Sequence, residues 1–395
     1  MTTAAAIVGV GMTPFGRFPQ RSLKGLGGEA VHAALADASM SPADIDMAFV
    51  ANAMASIVTG QVSIVGQTVL RDNGFSGIPV YNIDNACAGS SSALNLAVHA
   101  VRAGAATRVL VLGVEKLFAR SRETTYTALN GAADIDFVAE SGVDATRESV
   151  FVAAVYPPRL REYADRHGLS ADTLAAVAVK NRSHAGLNPM AQYTQPLTAK
   201  EVLAARSVVE PITALMCAPI SDGATAVVVT AGVSVRPEHR PVWIRGSAVG
   251  MAAAGRQGST IGGVARRAYA YAGITPRQVS VAEVHDSIAF NELVAYEELG
   301  FCDPGAGARL VADGLTSLGG QLPVNTSGGL ESRGHPVAAT GLAQVIELAH
   351  QLRGEAGGRQ VPDAQIGVAE NAGGYAGGDT AAVAVTVLGR TAADD

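Results

Sequence analysis

Cys87 stands in the run Asn85-Ala86-Cys87-Ala88-Gly89-Ser90-Ser91-Ser92, directly ahead of the apolar stretch Ala93-Leu94-Asn95-Leu96-Ala97-Val98-His99-Ala100-Val101. A strand ending near Tyr81, a tight turn of small residues and then a helix would place its sulfur at a helix N-terminus. Free N–H groups and the helix dipole there favour a thiolate. Taken alone, Cys87 reads first as a buried structural cysteine, because free cysteines are among the most buried residues. Two histidines sit in comparably exposed sequence contexts. His335 lies in the Gly-rich bend Ser332-Arg333-Gly334-His335-Pro336 ahead of a helical pattern, and His285 closes an apolar strand in His285-Asp286-Ser287. A cysteine with a histidine within reach is the pattern of nucleophilic catalysis, the imidazole taking the thiol proton. An imidazole N–H at a strand C-terminus can also stabilise an oxyanion. Asp286 reads equally as the group fixing the His285 tautomer and as an ordinary cap.

What brings these residues together is an internal duplication. Ser41-Pro42-Ala43-Asp44-Ile45-Asp46 leading into Met47–Val50 parallels Thr275-Pro276-Arg277-Gln278-Val279-Ser280 leading into Val281–Val284, and Ile78-Pro79-Val80 parallels Leu322-Pro323-Val324. Each unit opens on a Ser/Thr-Pro start signal, runs into a β-branched strand, and passes through a Gly-containing turn into a long amphipathic helix. Those helices are expected at Ser90–Val101 and Ala339–Leu352, each followed by a strand, Arg108–Gly113 and Gln365–Ala369. Strands alternating with helices predict an α/β fold of mostly parallel sheets, one per half. A duplicated fold brings equivalent turns together, so the bend carrying His335 is expected beside the Cys87 turn. The halves divide as 1–235 and 236–395, the joint being Val235–Pro241. The first half carries an inserted subdomain at about 118–208, with helices expected at Ser149–His167 and Ser170–Arg182. The last strand is expected to open into the Gly-rich run Asn371–Asp379, whose backbone N–H groups can approach a ligand closely.

Composition narrows the class. The 395 residues carry 16% charged side chains and a formal net charge of −6. With no basic cluster, nucleic acid is not expected as a partner. Three cysteines, at 87, 217 and 302, form no disulfide framework and show no metal-ligand spacing, which points to a reducing, cytoplasmic setting without a bound metal. The N-terminus lacks a basic n-region and the C-terminus, Thr391–Asp395, carries no peroxisomal address. Met47–Leu70 holds 24 uncharged residues but too many polar ones for a membrane span, and reads as a subunit interface.

Six motifs in order carry a resemblance. They are Val10-Gly11-Met12-Thr13-Pro14-Phe15-Gly16, Asn85-Ala86-Cys87-Ala88-Gly89-Ser90, Asn188-Pro189-Met190-Ala191-Gln192, Ser221-Asp222-Gly223-Ala224, His285-Asp286, and Ser327-Gly328-Gly329 through Gly334-His335-Pro336. On these the sequence resembles the thiolase superfamily over nearly its whole length, specifically the sterol-carrier-protein-2-type thiolases and their bacterial and archaeal relatives. The resemblance implies the thiolase fold, two similar halves packed as five layers (αβαβα) with an inserted loop domain. It implies a homodimer or dimer of dimers and acyl-CoA chemistry, with coenzyme A as co-substrate and no tightly bound cofactor. Cys87 would be acylated, His335 would activate it, and His285 with a water would form one oxyanion hole. The Cys87 N–H and one from Asn371, Gly373 or Gly374 would form the other, with Gly328 on the substrate side. Relatives often work beside a small zinc-containing OB-fold protein.

One departure stands out. Thiolases use a second acid/base cysteine, either in a Cys-x-Gly motif, where this sequence has Asn371-Ala372-Gly373, or after the His-Asp pair, where it has Ser287. A serine hydroxyl is a poor proton acceptor near neutral pH, whereas a thiol of pKa about 8.5 is workable. Either a histidine takes over, giving a Cys87-His285-His335 set resembling the ketoacyl synthases, or the leaving carbanion needs less help, or thiolase activity is lost. The expected function is an acyl-CoA C-acyltransferase cleaving a specialised 3-oxoacyl-CoA (aromatic, branched or steroid-derived) or running the reverse Claisen condensation. Retro-aldol cleavage or acyl transfer to a phenolic ring, and an acyl-CoA or lipid scaffold or complex subunit without turnover, are the competing readings. Arg159, Lys180 and Arg182 are the basic positions in the insert considered for the CoA nucleotide.

Overall fold

The computed structural model describes residues 4–252 and 259–392; the terminal residues Met1–Thr3 and 393–395, on which part of the targeting expectation rests, lie outside them. Eleven strands follow in chain order: β1 (Ala5–Met12), β2 (Met47–Ala51), β3 (Val80–Ile83), β4 (Arg108–Glu115), β5 (Ser207–Val209), β6 (Ile212–Thr213), β7 (Gly223–Ala231), β8 (Val242–Gly250), β9 (Val281–Glu283), β10 (Ile366–Ala376) and β11 (Asp379–Gly389). Nine of them form one sheet in the order β3-β2-β4-β7-β1-β8-β11-β10-β9, so the two mostly parallel sheets expected, one per half, are instead joined into one sheet in which antiparallel pairings outnumber parallel ones. The duplication is legible in that order. In the first half β3, β2 and β4 are parallel and β7 and β1 antiparallel. In the second half Val324 makes a parallel bridge to Ala282 of β9, β9 is parallel to β10, and β11 and β8 are antiparallel. The halves meet through the short β1–β8 pairing, Ala6 opposite Trp243 and Ile7 opposite Val242.

The start signals behave alike in both halves. Ser41 and Asp44 form a reciprocal capping box ahead of β2, and Thr275 and Gln278 form the same box ahead of β9. Five layers result. The helices Leu23–Asp37 and Val65–Asp72 cover one face of the first half-sheet, and Thr260–Ala272 covers the outer face of the second. The Gly89–Arg102 and Thr340–Arg353 helices each touch strands of both halves and form the central layer. Twelve of the fourteen residues of Thr340–Arg353 are buried, including Gln344, Glu347 and Gln351. A helix buried on nearly all sides is what a layer between two sheets requires, and its polar side chains find partners there, Gln344 on the Glu370 carbonyl and Gln351 on Glu347. The two central helices approach closely at their N-termini because Gly341 lies against Ser91, where a Cβ would sit 2.0 Å from Ser91 Oγ.

Between β4 and β7 the chain leaves the sheet for a helical insert closed by the β5–β6 hairpin. The helix expected over Ser149–His167 runs from Val150 to His167 and carries a π-helical turn inside it. Phe151–Val155 is a π-helical turn in which the Tyr156 N–H bonds the Phe151 carbonyl, and an α-helix then runs Tyr156–His167. Pro157 and Pro158 supply no N–H, so the regular helical bonds to the Ala153 and Ala154 carbonyls are not made, and the π-helical turn falls where they are missing. A second difference concerns Asn371–Ala376, expected past the end of the last strand but found inside β10. No helix of the described residues is long and apolar enough to cross a membrane.

Candidate active site

Cys87 occupies a single 3-10 turn, Ala86–Ala88, between β3 and the Gly89–Arg102 helix. The turn is tight enough to hold Ala86 at φ +48°, and it is fixed by Asp84, which accepts the Ala86 N–H at 3.0 Å, and by Asn85 Nδ2, which donates to Ser92 Oγ at 2.9 Å. The second half repeats the device: a 3-10 turn, Val337–Ala339, precedes the Thr340–Arg353 helix, so the positional counterpart of Cys87 is Ala338 and His335 enters just upstream. The serines after Cys87 lock these turns together. Ser90 Oγ accepts the Leu342 N–H at 3.1 Å, and Ser91 Oγ bonds Asn371 Oδ1 at 3.1 Å.

His285 follows β9 and His335 is held by its own N–H donating to Ser221 Oγ at 2.9 Å. Their rings meet edge to face at 5.2 Å, and the Cys87, His285 and His335 side chains place one ligand-type atom each within 4.8 Å of one another. One hydrogen bond assigns the His285 nitrogens. Asn371 Nδ2 lies 3.0 Å from His285 Nδ1, and an amide NH2 is a donor, so His285 carries its hydrogen on Nε2. His335 Nδ1 pairs with Thr340 Oγ1 at 2.7 Å, leaving its Nε2 free. Burial holds His335 neutral down to about 3, with Arg333 adding to the effect. Burial, then His335 and Arg333, depress His285 well below its ordinary value. A neutral pair of this kind suits one imidazole as base and the other as N–H donor. The three groups are near enough to hold a metal ion, but the tautomer that Asn371 imposes puts a hydrogen where a metal would need the His285 lone pair.

The state of Cys87 differs from the sequence expectation. Burial pushes its thiol up to about 12, followed by the charge of Glu115; the Gly374 N–H, which donates to the sulfur, and the N–H of Cys87 itself only partly offset this. One 3-10 turn has little dipole to set against desolvation. Glu115, at the end of β4, is itself raised to about 7 by burial although it accepts the N–H groups of Met54, Ala53 and Ala338. The resting enzyme therefore carries a neutral thiol beside a neutral imidazole. Alkylation of the free protein by iodoacetamide is accordingly expected to be slow at pH 7 and to accelerate tenfold per pH unit through pH 10. A plateau near pH 8.5, read from inactivation rates, would show an ordinary thiol instead.

All three groups line a cavity of about 580 Å³ together with Ser287, Gly373 and Gly374. Gly328 is not on its wall: at φ +101° it packs against Ala185 of the insert, while Gly329, at φ +60°, lies where a Cβ would meet Asp286 Oδ2 at 2.1 Å. Asp286 does not orient His285. Its carboxylate accepts the Leu330 N–H at 2.7 Å and Asn181 Nδ2 at 3.0 Å, so it caps the Gly329–Arg333 turn. Lys180 and Arg182 are also turned inward, Lys180 paired with Glu292 at 2.6 Å and Arg182 bonded to Ser332 Oγ at 2.9 Å. Neither reaches the cavity, whereas Arg159 lines it with Arg122, Arg147 and Arg206. The remaining motifs support the His335 bend. Asn188 Nδ2 donates to the Ser327 carbonyl, the Gln192 N–H to that of Arg333, and buried Asp222 accepts the Leu117 and Phe118 N–H groups where the insert begins.

Sequence reasoning missed three cavity residues. Tyr156 Oη lies 2.9 Å from Ser287 Oγ, and Asn291 Nδ2 donates to the same oxygen at 2.8 Å. Cys217 also lines the cavity, its Sγ donating to the Thr213 carbonyl at 3.5 Å. The Tyr-Pro-Pro run was the available signal for Tyr156, since two prolines inside a continuous helical pattern mark an irregular turn.

Comparison with known proteins bears on the family and the fold. The family model described as "Thiolase, N-terminal domain" matches residues 5–232, and "Thiolase C-terminal domain-like" matches 258–390. The chain is 36% identical over 388 residues to "Acetyl-CoA acetyltransferase" of Methanothermobacter thermautotrophicus, covering 96% of this chain and 98% of that protein. It is 33% identical over 365 residues to "Benzoylsuccinyl-CoA thiolase subunit BbsB" of Thauera aromatica, covering 90% of each. Among solved structures, the "Ltp2-ChsH2(DUF35) aldolase" superposes with a TM-score of 0.79 at 27% identity, over 98% of this chain and 97% of that one.

Proposed function

This chain belongs to the thiolase family, an acyltransferase family, and from that premise we propose that it is an acyl-CoA C-acyltransferase working through an acyl-Cys87 intermediate on a 3-oxoacyl-CoA. The observation that carries the reading is the convergence of the Cys87, His285 and His335 side chains within 4.8 Å in one cavity. His335 Nε2 takes the thiol proton as Cys87 Sγ attacks the 3-oxo carbonyl. Proton and charge leave the sulfur in the same step, so a thiol buried at about 12 need not ionise beforehand. The oxyanion formed on that carbonyl is met by backbone donors; the Cys87 and Gly374 N–H groups already bond the sulfur region and are the candidates. In this reading His285 Nε2–H receives the thioester enolate as the Cα–Cβ bond breaks. Coenzyme A then collects the acyl group, and the reverse condensation uses the same groups.

Cavity size and lining favour an acyl chain larger than acetyl. Its volume of about 580 Å³ is that of a small-molecule site, and Leu129, Phe151, Val152, Val209 and Ile288 make much of the wall apolar. A homodimer is supported by β3, an edge strand with no neighbour on its outer side among the described residues, and by exposed Ile57, Val62, Ile64 and Tyr81 around it. Three free cysteines are compatible with the cytoplasm. The name of the structural neighbour includes a DUF35 component, and a small zinc-containing OB-fold partner is part of the proposal on that ground.

The same neighbour is an aldolase, so retro-aldol cleavage is the second reading. It has no use for a thiol flanked by two neutral imidazoles. The deciding experiment incubates the protein with a panel of aromatic, branched and straight-chain 3-oxoacyl-CoA esters without free CoA and follows intact mass. The expected result is a stoichiometric acyl adduct that maps to Cys87 and is released by CoA. Cleavage of a 3-hydroxyacyl-CoA with no adduct from any ester would transfer the assignment to the aldolase.

A further inference from the structure

Ser287 occupies the position at which sterol-carrier-type relatives carry the second cysteine, yet its hydroxyl does not stand alone. Tyr156 Oη is 2.9 Å away, Asn291 Nδ2 donates to Ser287 Oγ at 2.8 Å, and all three residues line the cavity with Cys87 and both histidines. The π-helical turn Phe151–Val155 brings Tyr156 there. Such turns interrupt α-helices and recur at functional sites.

We infer that Tyr156, positioned by Ser287 and Asn291, is the second acid/base group of the reaction. In the arrangement where Asn291 donates to Ser287 and Ser287 donates to Tyr156 Oη, the phenolic hydrogen is free to face the cavity. When the Cα–Cβ bond of the Cys87 adduct breaks, its electron pair goes to Cα and Tyr156 delivers its proton there, giving the shorter acyl-CoA and a phenolate. The Ser287 hydroxyl then remains hydrogen-bonded to that phenolate. The incoming CoA thiol returns a proton to Tyr156 as its sulfur attacks the acyl-Cys87 carbonyl. Cys87 leaves as thiolate and recovers its own proton from His335. Every proton is accounted for, and no oxidant or reductant is needed.

The electrostatics suit this role. Burial above all keeps the phenol neutral up to about 12, with Cys87 and Cys217 adding to it, while Ser287 and the Arg159 charge favour the phenolate. The resting group is therefore an acid, and its conjugate base is strong enough to take a proton from a thiol of pKa about 8.5. Cys217 is the competing candidate in the same cavity. Its hydrogen bond goes to the Thr213 carbonyl on β6, whereas Tyr156 Oη bonds Ser287 Oγ.

The inference rests on the acyl-Cys87 reading, and its test separates the two. Exchange of the Cα hydrogens of an acyl-CoA in D2O, followed by mass spectrometry, reports the enolate step. Acylation of Cys87 by an acyl 4-nitrophenyl ester, whose leaving group needs no proton, reports the nucleophile. Tyr156→Phe is expected to lower exchange about 100-fold or more while leaving the ester burst within about threefold. Adding Ser287→Cys is expected to restore exchange to within about tenfold of the parent, because a thiol then stands where the relatives have one. Ser287→Ala, which keeps the phenol but removes its hydrogen bond, is expected to lower exchange about fivefold to twentyfold, and it decides the matter if Tyr156→Phe does not fold. Undiminished exchange in a folded Tyr156→Phe or in Ser287→Ala, or loss of exchange in Cys217→Ser instead, would overturn the assignment. A missing ester burst in the parent protein would instead count against the acyl-Cys87 reading.

Discussion

Cys87→Ala is expected to reduce thiolytic cleavage of the best 3-oxoacyl-CoA by at least about 10⁴-fold and to abolish the acyl adduct, with substrate affinity changed by no more than a few fold. The size follows from the role: removing a covalent nucleophile removes the pathway, and what survives is the binding and oxyanion contribution of the remaining site. Cys87→Ser is expected to fall almost as far. His335 would have to deprotonate an alcohol in a cavity where burial already holds even a thiol up to about 12. The fold is expected to tolerate both changes. Cys87 is only partly enclosed, packing beside Met54, Leu117 and Val337, and its turn is held by Asp84 and Asn85 side chains that the substitutions leave in place. Initial rates, intact mass with substrate and thermal unfolding together check the result. Retention of a tenth of the parent rate by a clean Cys87→Ala preparation would end the acyl-enzyme reading.

Gly373→Ala is the second large effect. Gly373 lies in β10 with ordinary extended backbone, so alanine itself is acceptable there, but its Cβ would sit 2.6 Å from the Ala88 N, 2.7 Å from the Asn85 O and 3.0 Å from the Cys87 N. These are backbone atoms of the nucleophile turn and cannot rotate away as a side-chain tip would. Either the turn or β10 must shift by several tenths of an ångström, and both carry oxyanion candidates, the Cys87 and Gly374 N–H groups. Loss of one such donor typically costs about 10²–10³-fold in kcat. Overpacking adds about 1–3 kcal/mol of destabilisation. The expected signature is a fall in kcat of about 100-fold or more with a Tm lower by a few degrees and Cys87 still open to alkylation. Full activity in Gly373→Ala would mean that the β10 backbone does not serve the oxyanion.

Much of the fold was legible because it is written twice. The paired Ser-Pro and Thr-Pro signals, the two strand-turn-helix units and the Gly-rich bends are local patterns, and local patterns are what periodicity and turn chemistry encode. They mark β2 and β9, the two central helices and the strands after them, and they put Cys87 and His335 in related bends. His285 was found in the same way, as a polar residue at the end of a predicted strand. Less regular features do not show in such patterns. The apolar spacing over Ser149–His167 marks a helix, which runs from Val150 to His167, but not the π-turn Phe151–Val155 inside it.

The sequence by itself determined that this chain is a duplicated α/β protein presenting one cysteine and two histidines at converging turns, and it marked Ser287 as the place where the usual chemistry departs. Only the tertiary structure decided the state of those groups. Whether Cys87 is thiolate or thiol depends on how completely the other half and the insert exclude water from one short turn, and here desolvation and Glu115 outweigh the local N–H groups. The His285 tautomer is set by Asn371, 86 positions away, while the neighbouring Asp286 turns to a different loop. Lys180 and Arg182 were lost as cavity residues because burial paired them with other side chains. Tyr156 meets Ser287 across 131 positions of chain. Helix and strand signals act over a few residues, whereas solvation and hydrogen-bond partnership are properties of a point in space, and those are the properties on which the chemistry depends.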